Sequence, residues 1–176
     1  MKDRQIDIEW LTDEHECDTC GWSTAEGAKI TIDGKPAICL EPSAYCFGSD
    51  QWDADQVLGI VLGEMGIRTL LTEPGCDPED ISRGRPSDKL APLDQHAPVA
   101  RIEMSAIWDE TRDDFSQGYR TFLGNEVIFD HPPALRGSDK SPYHSSTEAL
   151  VALAEHCGAR FTPGSIEAWM RGQKEA

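Results

Sequence analysis

The sequence predicts an α+β fold, a small mixed sheet with a β-hairpin and about four helices, arranged in one or two lobes. Several segments alternate apolar and polar residues as strands do, and others repeat apolar residues at the spacing of a helix face. Loops rich in proline and glycine separate them. With 176 residues and a mass of 19.4 kDa, the chain can bury one compact core or two small ones.

The first clear alternation predicts a β-hairpin. Residues 30–32 alternate apolar and polar side chains, Asp33-Gly34 supplies a turn, and a second apolar segment follows at residues 38–40. Pro36 has no backbone donor. We therefore expect the second strand to lie at a sheet edge or to begin at that residue.

A helix is predicted after this hairpin, capped by Ser49 or Asp50 and ended by Gly66. Its apolar positions follow helical spacing: Leu58, Val61, Leu62 and Met65. Residues 67–71 are then expected to form a buried strand. Gly59, Gly63 and Gly66 lie in or at the end of this helix, which indicates close packing of the helix and no nucleotide-binding loop.

The second half of the chain repeats this alternation of element types. Residues 102–108 predict a strand, residues 111–123 a helix, and residues 126–129 a short strand. The helix is inferred from the capping-box pattern of Thr111 with Asp114 and from aromatic residues at helical spacing: Phe115, Tyr119 and Phe122.

Two further helices are expected towards the C-terminus. One covers residues 150–157 and ends at Gly158, and the other begins with Thr162 as cap and Pro163 at its first position. The inner face of the last helix would hold Ile166, Trp169 and Met170.

A loop or linker is predicted in the middle of the chain. Residues 73–98 contain five prolines and two glycines and have no sustained apolar period. We therefore expect an acidic first lobe over residues 1–72, with the hairpin, the helix and a cysteine cluster, and a second α/β lobe over residues 99–176. The first lobe has fourteen acidic and five basic residues, a net charge of -9.

The net charge of the whole chain narrows the class of partner. Thirty-two carboxylates and sixteen Lys plus Arg give a formal charge of -16. The negative electrostatic field of such a chain repels phosphate backbones and anionic lipid surfaces, so we expect no direct binding to nucleic acid or to membranes. A partner with a basic surface is favoured.

The compartment decides how six cysteines are interpreted. The first ten residues contain no apolar signal-peptide segment, and the longest apolar stretch, at residues 57–62, is too short to cross a bilayer. We therefore expect a soluble cytoplasmic protein. In a reducing compartment, cysteines are thiols, metal ligands or buried small residues more often than disulfides.

The most specific local pattern is Cys17-Asp18-Thr19-Cys20-Gly21. Two cysteines at this spacing can bind one metal ion, and the glycine permits a tight turn. Cys39 and Cys46 are the nearest further ligands, with His15 as a substitute, so the sequence predicts a structural zinc site made by Cys17, Cys20, Cys39 and Cys46. The six residues between Cys39 and Cys46 depart from a zinc ribbon, which leaves free or buried thiols as the alternative.

Other combinations of reactive residues give weaker evidence of a catalytic or metal site. His156 and Cys157 would be adjacent on a helix and point about 100° apart, so they do not form a catalytic pair, and Cys157 fits the apolar face. His131 and His144, with Asp130 or Asp139, could gather a metal for a small hydrolase or transferase. The sequence contains no phosphate-binding loop, serine-hydrolase elbow or zinc-protease helix. We therefore expect a noncatalytic protein.

The carboxylates suggest a function as a group. Three clusters are candidates for contact with a partner: Asp13, Glu14, Glu16 and Asp18; Asp50, Asp53 and Asp55; and Asp109, Glu110, Asp113 and Asp114. Carboxylates along one face can occupy a basic groove built for phosphates and so compete with nucleic acid. The alternative is a solvated acidic surface, as in a salt-adapted organism.

One segment carries a resemblance to a known class of proteins. Residues 15–65 contain Cys17-Asp18-Thr19-Cys20-Gly21-Trp22, Ala25-Glu26-Gly27-Ala28, Asp33-Gly34 and Pro42-Ser43-Ala44-Tyr45-Cys46-Phe47. These motifs resemble small acidic proteins encoded in phage and prophage early regions. The resemblance implies an anti-restriction or anti-CRISPR type of role in the host cytoplasm. The expected function is an inhibitor that docks on a basic, nucleic-acid-binding surface of a host defence complex, with a zinc-stabilised protein-interaction module as the alternative.

Overall fold

The computed structural model describes residues 3–82, 93–94, 96–111, 113–134 and 146–166. In this part of the chain the protein is mostly β, with 53% of residues in strands that form three sheets and 16% in two helices. The predicted α+β fold with about four helices is therefore wrong. The long strand over residues 4–17 and the first part of the strand over residues 21–32 were not recognised, and one predicted helix is a strand.

The elements follow one another along the chain. They are β1 (Arg4–Cys17), β2 (Gly21–Ile32), β3 (Lys35–Leu40), β4 (Ser43–Tyr45), β5 (Gly48–Asp50), α1 (Ala54–Glu64), β6 (Arg68–Thr72), β7 (Glu79–Asp80), β8 (Val99–Asp109), β9 (Asp114–Leu123), β10 (Glu126–His131), α2 (Ser146–His156) and β11 (Ala159–Phe161). The chain forms two compact units. Unit 1 combines Met1–Val57 with Cys157–Ala176, and unit 2 is Leu58–His156.

Unit 1 contains a four-stranded sheet in the order β11-β1-β2-β3. The short β11 runs parallel to β1, and the other neighbours are antiparallel. The predicted hairpin is confirmed as β2 and β3. Its turn residues Asp33 and Gly34 have φ values of 52° and 74°, the positive angles of a type I′ turn, and Pro36 lies in an edge strand as expected.

The strands β1 and β2 extend beyond their neighbours. β11 pairs only with residues 4–6 of β1, and β3 pairs only with residues 28–32 of β2. The remainder, residues 11–17 paired with residues 21–27, is a two-stranded structure here called the ribbon. The core of the sheet lies at the other end, where Ile6, Ile8, Ile30 and Ile32 are buried.

Unit 2 contains a five-stranded sheet in the order β10-β9-β8-β6-β7. β6 and β8 are parallel, and the other pairs are antiparallel. The strands predicted at residues 67–71, 102–108 and 126–129 are confirmed as β6, β8 and β10. The largest fully buried side chains of this unit include Ile67, Ile102, Leu150 and Leu153.

The predicted helix over residues 111–123 is wrong, because these residues turn back and form β9 beside β8. Phe115 and Tyr119 are four residues apart, a spacing that fits one helix face and also fits one strand face. The presumed cap forms a local turn instead: the Thr111 N–H donates to the Asp109 carboxylate at 3.0 Å, and Asp113 has a φ of 54°. Ten cross-strand pairs with β8 then decide in favour of the strand.

The two helices end close to their predicted positions, but α1 begins at Ala54 and α2 at Ser146, each about one turn from the predicted start. The cap of α1 is Asp53, not Ser49 or Asp50: Asp53 accepts from the Gln56 N–H at 2.8 Å, and Gln56 Oε1 accepts from the Asp53 N–H at 3.2 Å. Gly66 ends α1 with a φ of 82°. For the last predicted helix, residues 163–166 form a turn, and residues 167–176 lie outside the described residues. Neither of the two helices is long and apolar enough to cross a membrane.

Candidate metal centre

A group of possible metal ligands lies at the free end of the ribbon. The ligand atoms of His15, Cys17 and Cys46 are all within 4.8 Å of one another. His15 Nε2 is 3.2 Å from Cys46 Sγ. An imidazole and two thiols at these distances could hold a metal ion.

The alternation of β1 places two of these ligands side by side. Residues two apart on a strand share a face, so His15 and Cys17 project to the same side of the ribbon. Opposite them in β2 are Ser23 and Gly21. Gly21 has a φ of 80°, an angle that glycine adopts without the penalty of a Cβ, and it closes the turn after the Cys-x-x-Cys pattern.

The third ligand comes from the β4–β5 hairpin, which is fastened to the same face. The Ala44 N–H donates to the Asp13 carboxylate at 2.8 Å, and the Ser23 hydroxyl donates to the Tyr45 carbonyl at 3.5 Å. Tyr45 pairs with Gly48, so Cys46 lies in the two-residue turn between the strands. These contacts bring Cys46 to His15 across 31 positions of sequence.

Hydrogen bonding gives the two thiols opposite acidities. The pKa of Cys17 is lowered to about 6, chiefly by the Thr19 N–H, which donates to its sulfur at 3.4 Å, and by the backbone of Cys20. The pKa of Cys46 is raised to about 11, chiefly by hydrogen bonds with the Cys20 and Cys17 sulfurs. Cys17 is therefore a thiolate at neutral pH, which is the form that binds metals.

Cys20 lies beside this group but is not one of the three residues whose ligand atoms all lie within 4.8 Å of one another. The Cys20 thiol hydrogen-bonds with the sulfurs of both Cys17 and Cys46, and its side chain is exposed. Cys39 is not brought to the group. Cys39 lies in β3 and pairs with Lys29 of β2. Lys29 is eight residues along β2 from Gly21, so Cys39 lies roughly 26 Å from the end of the ribbon at the rise of a strand.

Sequence reasoning therefore included two of the three residues that meet here, Cys17 and Cys46, and named His15 only as a substitute. The available signal was the spacing of His15 and Cys17, which alternate within a strand. It could not be used because residues 11–17 are too polar to predict a strand by themselves.

The predicted acidic clusters have divergent local roles. Three of their members satisfy backbone groups: Asp13 anchors β4, Asp53 caps α1, and the buried Asp109 accepts from Thr111. Asp55 is half-buried in the first turn of α1, and Asp114 begins β9. The exposed members are Glu14, Glu16, Asp18, Asp50, Glu110 and Asp113.

The ribbon carries acidic side chains and no Lys or Arg. Glu14 and Glu16 project from the face opposite the metal ligands, and Glu26 lies on that same face of β2. Residues 5–28 contain seven carboxylates and no Lys or Arg, and residues 36–57 contain four carboxylates and again no Lys or Arg.

The other candidates for chemistry are occupied by structural contacts. Asp130 accepts from Arg120 at 2.9 Å, and His131 stacks on Phe129 with ring centroids 4.5 Å apart. His144 and Asp139 lie outside the described residues. Cys157 is buried, and burial raises its pKa, which disfavours the reactive thiolate.

Three tryptophans differ in exposure. Trp22 and Trp108 are 59% and 47% exposed, so both can reach a partner, whereas Trp52 is half-buried and its backbone N–H donates to the Glu26 carbonyl. Comparison with protein-family models, curated proteins and solved structures finds no match to this chain.

Proposed function

We propose that this protein is a noncatalytic binding protein whose acidic ribbon is fastened by a zinc ion and docks on the basic surface of a partner protein. The observation that carries the proposal is the convergence of His15, Cys17 and Cys46 at the end of a ribbon that has no Lys or Arg. The two parts of the proposal, metal and docking, are tested separately.

The ligand chemistry supports zinc. Thiolate and imidazole ligands select zinc over magnesium or calcium, and the structure brings together His15, Cys17 and Cys46. Cys20, which hydrogen-bonds with Cys17, would supply the fourth ligand. Four protein ligands would leave no position for a substrate or an activated water. This is the composition of a structural site.

The position of the group gives zinc a physical role. The ribbon has paired strands only between β1 and β2, and its exposed side chains bury little apolar area. A metal bound by β1, by the turn after it and by the β4–β5 turn would join three segments that hydrogen bonds alone hold loosely. The ribbon would then keep one shape for docking.

The charge of the ribbon supports a basic partner. Glu14, Glu16 and Glu26 form an uncompensated acidic face, which attracts cations and repels phosphates. The resemblance of residues 15–65 to phage early-region proteins favours a host nucleic-acid-handling or defence complex as the partner. The phosphate-binding groove of that complex would accept the carboxylates of the ribbon in place of nucleic acid.

The metal is tested by analysis of the purified full chain and by substitution with Co²⁺. We expect one zinc ion per chain and a cobalt absorption band typical of three thiolates and one nitrogen. Cys20→Ser should weaken the thiolate-to-cobalt band and lower metal affinity, whereas the matched Cys39→Ser variant should do neither. A chain that binds neither metal, or a Cys39→Ser variant that behaves as Cys20→Ser, would refute this part.

The docking is tested by pull-down from host lysate at low and at physiological salt, with captured proteins identified by mass spectrometry. The Glu14→Lys/Glu16→Lys variant should lose the basic proteins that the wild type captures, and capture by the wild type should weaken steeply with salt. Glu64→Lys/Glu73→Lys is the charge-matched control in unit 2 and should capture the same proteins. Equal capture by both variants would contradict a role for the ribbon.

A further inference from the structure

We infer that Phe47, supported by Tyr45, is a cation–π contact that receives an arginine or lysine side chain of the basic partner. This inference rests on the proposed function and names the contact that docking would use. It is carried by the geometry of one turn, by the exposure of one aromatic ring and by the charge around it.

The backbone of Phe47 is in a conformation that its side chain does not favour. Phe47 has a φ of 66°, and with Cys46 it forms the two-residue turn between Tyr45 and Gly48. A positive φ at the second position of such a turn is normally taken by glycine or asparagine. A bulky residue there is a genuine outlier and costs on the order of 1 kcal/mol.

Burial within the chain does not offset this cost. The side chain of Phe47 is 89% exposed, the highest value among the exposed large apolar residues of the described chain. A phenylalanine that remains in water gains almost none of the free energy that its apolar area would give in a core. The position therefore combines backbone strain with an unused apolar ring, which favours a use outside the chain.

A second exposed ring, that of Tyr45, lies two residues before Phe47 in the same hairpin. Tyr45 is 45% exposed, and its ring lies against Gly48, where an added Cβ would be 2.6 Å from the ring carbon Cε2. The absence of a side chain at Gly48 makes room for the Tyr45 ring. Two exposed aromatic residues thus flank Cys46 in sequence, and Cys46 is a ligand of the proposed metal site.

The charge around these rings identifies the occupant. The ribbon with its turn, residues 11–27, and the β4–β5 hairpin, residues 43–50, together contain six carboxylates and no Lys or Arg. Aromatic faces attract cations, and the negative field of these two segments adds to that attraction. A protein segment that carries arginine or lysine complements both features, whereas nucleic acid and anionic lipid are repelled.

The position of Phe47 also couples docking to the metal. Cys46 precedes Phe47 directly, and its sulfur contacts His15 at 3.2 Å. A metal bound to Cys46 would hold the turn and so fix the direction of the Phe47 ring. We therefore expect the cation–π contact to be stronger in the zinc-loaded chain than in the chelated chain.

The test measures binding of a fluorescein-labelled oligo-arginine peptide to the zinc-loaded full chain by fluorescence anisotropy. Phe47→Gly removes the ring and relieves the strained φ, and Phe47→Leu removes only the aromatic character. We expect both to weaken binding about threefold to tenfold, Phe47→Trp to bind at least as tightly as the wild type, and Phe115→Leu, an exposed control in unit 2, to change nothing.

Thermal unfolding separates docking from folding. The melting temperature of Phe47→Gly should equal or exceed that of the wild type, because strain is relieved and no burial is lost. Wild-type binding by Phe47→Leu, an equal loss in Phe115→Leu, or a marked fall in the melting temperature of Phe47→Gly would overturn the inference.

The role of the acidic ribbon is tested in the same peptide-binding assay. If Glu14→Lys/Glu16→Lys loses the peptide while the Phe47 variants keep it, the proposed function stands and this inference fails. If neither set of variants changes binding, both fail.

Discussion

His15 Nε2 lies 3.2 Å from Cys46 Sγ and joins the end of β1 to the β4–β5 turn. This contact closes a group in which the thiol of Cys17 is also within 4.8 Å. Most of the surrounding side chains are exposed and polar, so packing contributes little there. The stability of this end of unit 1 should therefore depend on what the group binds.

Zinc should stabilise the chain through this group. A ligand that binds only the folded state at about a thousand times its Kd adds about 4 kcal/mol to the free energy of unfolding. We expect zinc to raise the melting temperature of the wild type by roughly 10 °C. Differential scanning calorimetry of Cys17→Ser/Cys46→Ser should show no rise, while Cys39→Ser should behave as the wild type. A zinc-induced shift that persists in the double variant would place the metal elsewhere.

Cys17 should be the most reactive thiol of this group in the metal-free chain. Its pKa of about 6 makes it mostly thiolate at pH 7, whereas the pKa of about 11 keeps Cys46 protonated. Limited alkylation with iodoacetamide, followed by peptide mass spectrometry, should modify Cys17 before Cys46. The rate at Cys17 should fall as the pH is lowered through 6, and zinc should protect it. Faster labelling of Cys46 would contradict the hydrogen-bond pattern of the cluster.

Asp80 should make the stability of unit 2 dependent on acidic pH. Partial burial opposes its ionisation, but hydrogen bonds from Ser82 and from Arg68, whose Nε is 2.7 Å away, outweigh it and lower its pKa. A lowered folded-state pKa contributes stability above the unfolded-state value, near 4, and that stability is lost as pH falls through the folded-state pKa.

Urea unfolding of Asp80→Asn should show this dependence. The variant should be less stable than the wild type by roughly 1 kcal/mol at pH 7, because the ion pair with Arg68 is partly exposed. The difference should shrink as the pH is lowered below 4. Glu64→Gln, at an exposed position of α1, is the control and should match the wild type. A difference that stays constant with pH would refute the ionic origin.

Gly59 should resist replacement by alanine although it lies within a helix. Helix propensity alone predicts that Gly59→Ala stabilises α1 by about 1 kcal/mol. The new Cβ would collide with the backbone carbonyl oxygen of Ile81, so we expect a net loss of about 1–3 kcal/mol. Chemical denaturation measures the sign directly, with Glu64→Ala as the exposed helical control. A stabilised Gly59→Ala variant would show that the segment at Ile81 can move away.

The sequence predicted those parts of the fold whose signals are local. Asp33-Gly34 has the positive φ values that a tight hairpin turn requires, and Gly66 ends α1 with the left-handed angle that glycine favours. The helix over residues 111–123 failed because Phe115 and Tyr119 fit either periodicity. Pairing with β8, a contact between different segments of the chain, decided in favour of the strand.

The candidate metal site also has one part that follows from local sequence and another that follows from tertiary contacts. The Cys17-Asp18-Thr19-Cys20-Gly21 turn is a local arrangement, and its residue types determined that two thiols would lie close together. His15, and not Cys39, joins the group through the strand alternation of β1, and the docking of β4 onto Asp13 brings Cys46 to it.

By itself, the amino-acid sequence determined the turn at Asp33-Gly34, the end of α1 at Gly66, the excess of carboxylates and the thiol pair, since each depends on residues that are neighbours in the chain. The tertiary structure decided which strands pair, which cysteine completes the group and which aromatic rings stay in water. These outcomes depend on contacts between distant segments, and their free energies are absent from any local pattern of residues.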